Sequence, residues 1–159
     1  MKVINRSDGN VAYSLPEMNM RRVFTPWEAK DVSAEELEAL YATDGGADLI
    51  KGYLLVDDEN WVNQHFDAPI EYFWKEEEIK KCVLEDPLDL FEETLDYAPD
   101  GVIDLIKYYS WTIPLTDLNK IKVLQDKTGF DTLGSIEVMK GPDGETAPAP
   151  HERRRKREA

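Results

Sequence analysis

The sequence predicts an α+β fold: a small N-terminal antiparallel β element, then an array of short α-helices, then a disordered C-terminal tail. Three observations predict it. Residues 2–32 hold short runs of strand-forming residues separated by turn signals. Pro87, Pro99 and Pro114 each precede an amphipathic segment, as a proline at a helix start does. From Gly141 no aliphatic side chain larger than alanine remains, so that segment cannot bury enough to offset its ordering entropy. The units implied are residues 1–56, β-rich with one helix; residues 57–140, helical; and residues 141–159, a flexible basic tail.

"KVIN" and "VAYSL" read as strands on either side of "RSDGN", because Asp8-Gly9 is a good tight-turn pair. "MRRVFTP" and "EAKDV" read as a second pair, broken at Thr25-Pro26, where proline cannot donate into a ladder. Ser33 opens a helix: Glu36 stands three residues on, a capping box, and Leu37, Leu40 and Tyr41 share one face. "TDGG" stops it. "ADLIKGYLLV" reads as a helical turn and then a strand near Tyr53–Val56.

From Asp57 the pattern is helical, with "PIEYFW" (69–74) as a strand or an extended link. "KEEEIKKCVLED" is a helix with Ile79, Cys82 and Val83 inward. A proline in the first turn loses no hydrogen bond, so helices are expected over 87–97, 99–111 and 114–128, the first capped by Asp86. Leu88, Phe91 and Leu95 form one apolar stripe; Val102, Leu105, Ile106, Tyr109 and Ile113 form another; Leu118 and Ile121 begin a third. Gly129 breaks the chain, and Asp131 caps a last short helix. Asp100, Asp104 and Asp117 are placed at helix starts or on wet faces.

A chain of 159 residues fits one domain with room for a small appendage. Cys82 is the only cysteine, so no intramolecular disulfide can form and no Cys/His zinc spacing exists. "MKVINRSDGNVAYS" is not a signal peptide, and no stretch approaches ~18 apolar residues. A soluble, intracellularly made protein is expected. The net charge is −14; residues 151–159 carry five Lys/Arg and two Glu, a net of +3, which leaves −17 on residues 1–150. Such a body repels nucleic-acid phosphates while the tail attracts them.

No Gly-rich phosphate loop, HExxH, GxSxG or EF-hand pattern occurs, and no catalytic residue, cofactor or metal is expected. "DDEN" (57–60) lacks calcium-loop spacing; an acid-rich helix N-terminus is the better account. "PDGVIDLIK" looks like the start of a nuclease signature, but that needs acid-x-Lys on a strand, and Asp104 and Lys107 are three apart on a helix. His65 reads as a helix-end or loop histidine, His151 has no cysteine or acid at triad-like spacing, and Cys82 reads as a structural thiol on an apolar stripe. Trp61, Trp74 and Trp111 fill the core beside helices. Trp27 follows a proline in a loop, either anchoring an interface or covering the small sheet. "LNKIKVLQDKTGFDTLGSIEVM" has a second helix too short and acidic for a major-groove reader. "RRRKR", Arg153, Arg154, Arg155, Lys156 and Arg157, suits phosphate contact or an acidic protein surface, and without interleaved aromatics it does not read bases.

Residues 21–56 and 95–131, carried by "EELEAL", the "GG" pair, "APDGVIDLIK" and "KTGFD", resemble a group of small, mostly uncharacterised proteins of tailed bacteriophages and prophages, often encoded among virion structural genes. The resemblance covers roughly residues 1–140 and departs at "TPWEAK", where Trp27 stands in place of a glycine-containing turn. It implies kinship and carries no functional residue across. Together with the charge asymmetry, it sets the expectation of a non-enzymatic phage protein acting by protein–protein binding, a virion structural or assembly component. Its partners would be other phage proteins (capsid, connector or tail), met through Arg21, Arg22 and Trp27. The basic tail would add nonspecific nucleic-acid contact; no membrane or small molecule is involved. It would reside in the host cytoplasm during infection and then in the virion. The alternatives are an acidic, DNA-mimicking inhibitor of a host nucleic-acid-binding protein, and a hydrolase or nuclease built from distant acids.

Overall fold

The computed structural model describes residues 1–140; the expected disorder of residues 141–159 lies outside the described residues. The α+β expectation holds: five short strands lie before residue 57 and helices fill the rest of the described chain.

Strands β1 (Lys2–Asn5), β4 (Ala29–Asp31) and β5 (Leu54–Val56) form one antiparallel sheet in the order β4-β1-β5. Strands β2 (Val11–Leu15) and β3 (Met20–Phe24) form a separate antiparallel hairpin across the 3-10 turn Pro16–Met18, which Asn19 closes in the left-handed region at φ 49. The expected pairs, β1 with β2 and β3 with β4, are therefore both corrected. Local turn chemistry gives way to the buried side chain of Asn5. Its amide donates to Gly9 O (2.8 Å) and Phe24 O (3.1 Å), while Ser7 Oγ donates to Asn5 Oδ1 (2.6 Å). These bonds turn residues 5–10 out of the sheet and leave both edges of β1 free for β4 and β5. Alternation in "VAYSL" and "MRRVF" then sets the hairpin register, with Val11 opposite Phe24 and Tyr13 opposite Arg22.

Helices follow in chain order: α1 (Ala34–Ala42), α2 (Gly46–Gly52), α3 (Glu59–His65), α4 (Glu76–Leu84), α5 (Leu88–Tyr97), α6 (Asp100–Thr112), α7 (Leu118–Thr128) and α8 (Thr132–Lys140). Ser33 Oγ accepts from Glu36 N (3.1 Å), Asp58 accepts from Trp61 N (3.0 Å) and Asp131 accepts from Gly134 N (2.9 Å), as an N-cap does. Gly46 must be glycine: a Cβ there would stand 1.8 Å from Leu40 O, where α2 turns against the end of α1.

Four local expectations are corrected. Residues 70–73 form a 3-10 turn with Pro69 as its N-cap and Tyr72 buried inward, not a strand or extended link. Pro87 itself takes the cap position of α5; Asp86 instead follows Glu85, the C-cap of α4, and its backbone N–H donates to Lys81 O (3.2 Å). Pro114 starts no helix. Leu115 is buried and donates to Ser110 O (2.7 Å), and α7 begins only where Asp117 offers a side-chain acceptor to Asn119 N (3.0 Å). Ile113 and Leu118 consequently leave the apolar stripes and are 36% and 68% exposed.

The core consists of two buried clusters. One gathers the sheet, the hairpin, α1 to α3 and Tyr72; the other gathers α4 to α7, with Ile79, Phe91, Val102, Ile106 and Leu124 at its centre. The division falls between Tyr72 and Ile79, so α3 packs with the sheet. Gly101 brings the start of α6 against the first unit, since a Cβ there would meet Arg6 O at 2.4 Å and Gly52 O at 2.7 Å.

Candidate functional site

The hairpin has an inner and an outer face. On the inner face Arg22 forks onto Glu36 of α1, with Nε 2.8 Å from Oε2 and Nη2 2.9 Å from Oε1, and the Tyr13 hydroxyl donates to the same Oε2. Glu36 is buried, and its bonds from Arg22, opposed by burial, hold its carboxyl below the usual glutamate range. Tyr13 is pushed upward by burial and then by its bond to Glu36. The predicted capping box is thus half made: the Ser33 bond forms, but the Glu36 carboxylate goes to the bidentate arginine, the stronger donor.

On the outer face Arg21 lies exposed opposite Ser14, and Val23 is 44% exposed opposite Ala12. Trp27 stands apart from both arginines. It occupies the left-handed region at φ 65, its N–H donates to Asn5 O (2.7 Å), and its half-buried ring packs against both hydrophobic clusters. The three expected partner contacts therefore do not form one patch: Arg21 faces solvent, Arg22 is bound to Glu36, and Trp27 bridges the two clusters.

The acids of the opening of α6 gather near Tyr53. Asp104 is half-buried rather than fully wetted; burial, then Asp8 and Asp100, push its carboxyl upward, against the pull of Lys107 3.7 Å away. Asp8 and Asp100 are exposed, and a shallow groove of about 340 Å³ beside them is lined by residues 7–12, Leu49 and Tyr53. Among the described residues no three His, Cys, Asp or Glu side chains are placed to hold a metal ion.

His65 ends α3 as expected, stacked 3.8 Å from Trp61 and bonded to Glu38 Oε1 (2.6 Å). The Cys82 thiol is buried, and burial pushes it up to about 12, consistent with a structural side chain. Trp61 is buried, while Trp74 and Trp111 are partly exposed. Two buried cations escaped the sequence reading. Arg6 is fully buried, donates to Tyr72 O and lies 5.2 Å from the Tyr72 ring centre; burial lowers it to about 10. Lys120 is buried and donates to Cys82 O (3.3 Å) and Val83 O (3.1 Å), capping the end of α4. Cations near a helix C-terminus are favoured, but nothing local marks either residue as inward-facing.

His151 and Arg153, Arg154, Arg155, Lys156 and Arg157 lie outside the described residues. No family model, no curated protein and no solved structure matches this chain.

Proposed function

We propose that the protein is a non-enzymatic bacteriophage component that acts by protein–protein binding, in virion structure or assembly. The observation that carries this reading is the outer face of the hairpin. Its ladder is only two strands wide, and exposed Arg21 and Val23 stand beside each other on it. An isolated two-stranded ribbon is marginal in water, and strand edges outside a larger sheet offer N–H and C=O groups to a partner. The triad beneath, Tyr13–Arg22–Glu36, fixes the ribbon to α1 and so presents that face rigidly. The resemblance to proteins encoded among virion genes supplies the setting: capsid, connector or tail proteins as partners, with phosphate contact assigned to the basic residues 153–157.

Affinity capture from infected cells tests it. The chain retrieves virion proteins, and Arg21→Glu with Val23→Asp abolishes the retrieval while leaving Tm unchanged. Undiminished capture by that variant removes the hairpin face from the proposal.

A second reading has its own observation. Asp89, Glu92, Glu93 and Asp96 recur at i, i+3, i+4 and i+7, so four carboxylates share one face of α5, and only Asp96 is in an ion pair among the described residues, with Lys127 at 2.6 Å. A row of that kind could stand in for phosphates before a host nucleic-acid-binding protein. Competition with DNA for such a protein, lost on Asp89→Lys and Glu93→Lys, distinguishes this reading from the first.

A further inference from the structure

Helix α5 buries one side and turns the other to solvent. Phe91, Thr94 and Leu95 face the core, while Asp89, Leu90, Glu93, Asp96 and Tyr97 are exposed. At about 100° per residue the outer side has two borders. Asp89, Glu92 and Asp96 run along the border towards α7, whose Lys127 pairs with Asp96 at 2.6 Å. Leu90 and Tyr97, 45% and 65% exposed, run along the other, and Glu93 stands between the two rows.

Little near these acids in the chain balances them. Between Lys81 and Lys107 stand eight Asp/Glu and no Lys or Arg. Asp89, Glu92 and Glu93 are in no ion pair among the described residues. An acidic row alone would be a solvated face, and two exposed apolar side chains alone would need no explanation. Side by side they suit one chemistry, a cation with a flat head and an apolar stem. Arginine has both: its guanidinium forks onto carboxylates and stacks on an exposed ring, while its methylenes cover aliphatic surface. Phosphates and anionic lipids are repelled.

The chain carries such a segment itself. Residues 153–157 are four arginines and a lysine, the densest cationic run in the sequence, and Arg153 stands thirteen residues after Lys140, where α8 ends. α8 packs against α6 and α7, and α7 packs against α5. One helix thus separates α8 from α5, a gap of about 20 Å at ordinary interhelical distances. The twelve intervening residues would span about 20 Å as a coil and about 40 Å at full stretch. Tethering at that length gives the run an effective concentration on the order of millimolar beside α5, an advantage no separate basic partner has.

We propose that the outer face of α5 docks residues 153–157 of the same chain, with their cations held by Asp89, Glu93 and Asp96 and an arginine laid on Tyr97. The docking itself is independent of the reading above. Its consequence rests on the phosphate contact assigned there to the same residues: nucleic acid must displace α5 before it meets them.

The test is paramagnetic relaxation in the full chain at low salt, with a nitroxide on Ala159→Cys; Cys82 is buried and stays unlabelled. Broadening of the amides of residues 89–97 is expected, with those of the hairpin, residues 11–24, unaffected. At 1 M salt, where the screening length is about 3 Å, the broadening is lost. Asp89→Asn with Glu93→Gln lowers the docked population about threefold. Glu17→Gln with Asp48→Asn removes as many charges elsewhere and leaves it unchanged. All four side chains are exposed, so both variants fold, which an unchanged Tm checks. Broadening spread evenly over the acidic surface, or equal loss in the two variants, overturns the proposal. So does broadening that appears only between a spin-labelled chain and a separate isotope-labelled chain, which would put the run on a second copy. A short DNA duplex relieves the broadening if the phosphate assignment is right; persistence sinks that assignment and leaves the docking. Absence of the protein from virions would likewise sink the virion reading and leave this contact untouched.

Discussion

Arg22 and Glu36 meet in a two-pronged ion pair that joins β3 to α1, with bonds of 2.8 and 2.9 Å. One partner is buried and the other partly exposed, so the pair is asymmetric. Arg22→Ala strands a carboxylate that only Tyr13 still bonds, and should cost about 2–4 kcal/mol, near the range for breaking a buried pair. Glu36→Gln keeps the shape and loses the charge, and should cost less. Urea unfolding of both variants checks the order.

The same carboxyl predicts an acid limb. Because its folded pKa is depressed, Glu36 contributes stability that is complete above the ordinary glutamate value near 4.5 and is lost as pH falls through the lower folded value. Asp104 has the opposite sign: its raised folded pKa makes its charge a burden at neutral pH. Asp104→Asn therefore raises Tm at pH 7, and Glu36→Gln flattens the loss of Tm below pH 4.5. Thermal melts across pH 3–7 measure both.

Cys82 should resist thiol reagents while the protein is folded. A shift from 9.0 to about 12 reduces the thiolate at pH 8 by ~10²–10³, and burial blocks access as well. Reaction with a chromogenic disulfide is expected only on unfolding; prompt labelling of the native protein would contradict the packing of α4.

Lys120→Met keeps the stem and removes the ammonium that caps α4, leaving the Cys82 and Val83 carbonyls without their side-chain donor. A loss of about 1–3 kcal/mol is expected, read by urea denaturation. Gly46→Ala should cost about 3 kcal/mol, because its Cβ would overlap the Leu40 carbonyl, whereas Gly9→Ala, with nothing within 4 Å, should stay within about 0.5 kcal/mol.

Helix punctuation was legible because its causes are local. Ser33, Pro87, Pro99, Gly129 and Asp131 act on the few residues beside them, and the structure places each at or next to a helix end. Strand pairing was not legible. β1 takes partners from residues 29–31 and 54–56, and the choice is made by buried Asn5, whose bonds reach Gly9 and Phe24. A local turn signal at Asp8-Gly9 cannot report that. Glu36 shows the same limit: a capping-box residue by position, it is captured by an arginine 14 residues earlier. Arg6 and Lys120 look like surface charges in the sequence because only tertiary packing turns them inward.

Quantitative mass spectrometry of purified virions tests the central claim most directly. The account predicts peptides of this chain at a fixed ratio to capsid protein, persisting through gradient purification. Virions that infect normally and contain none of it would contradict its place in the particle.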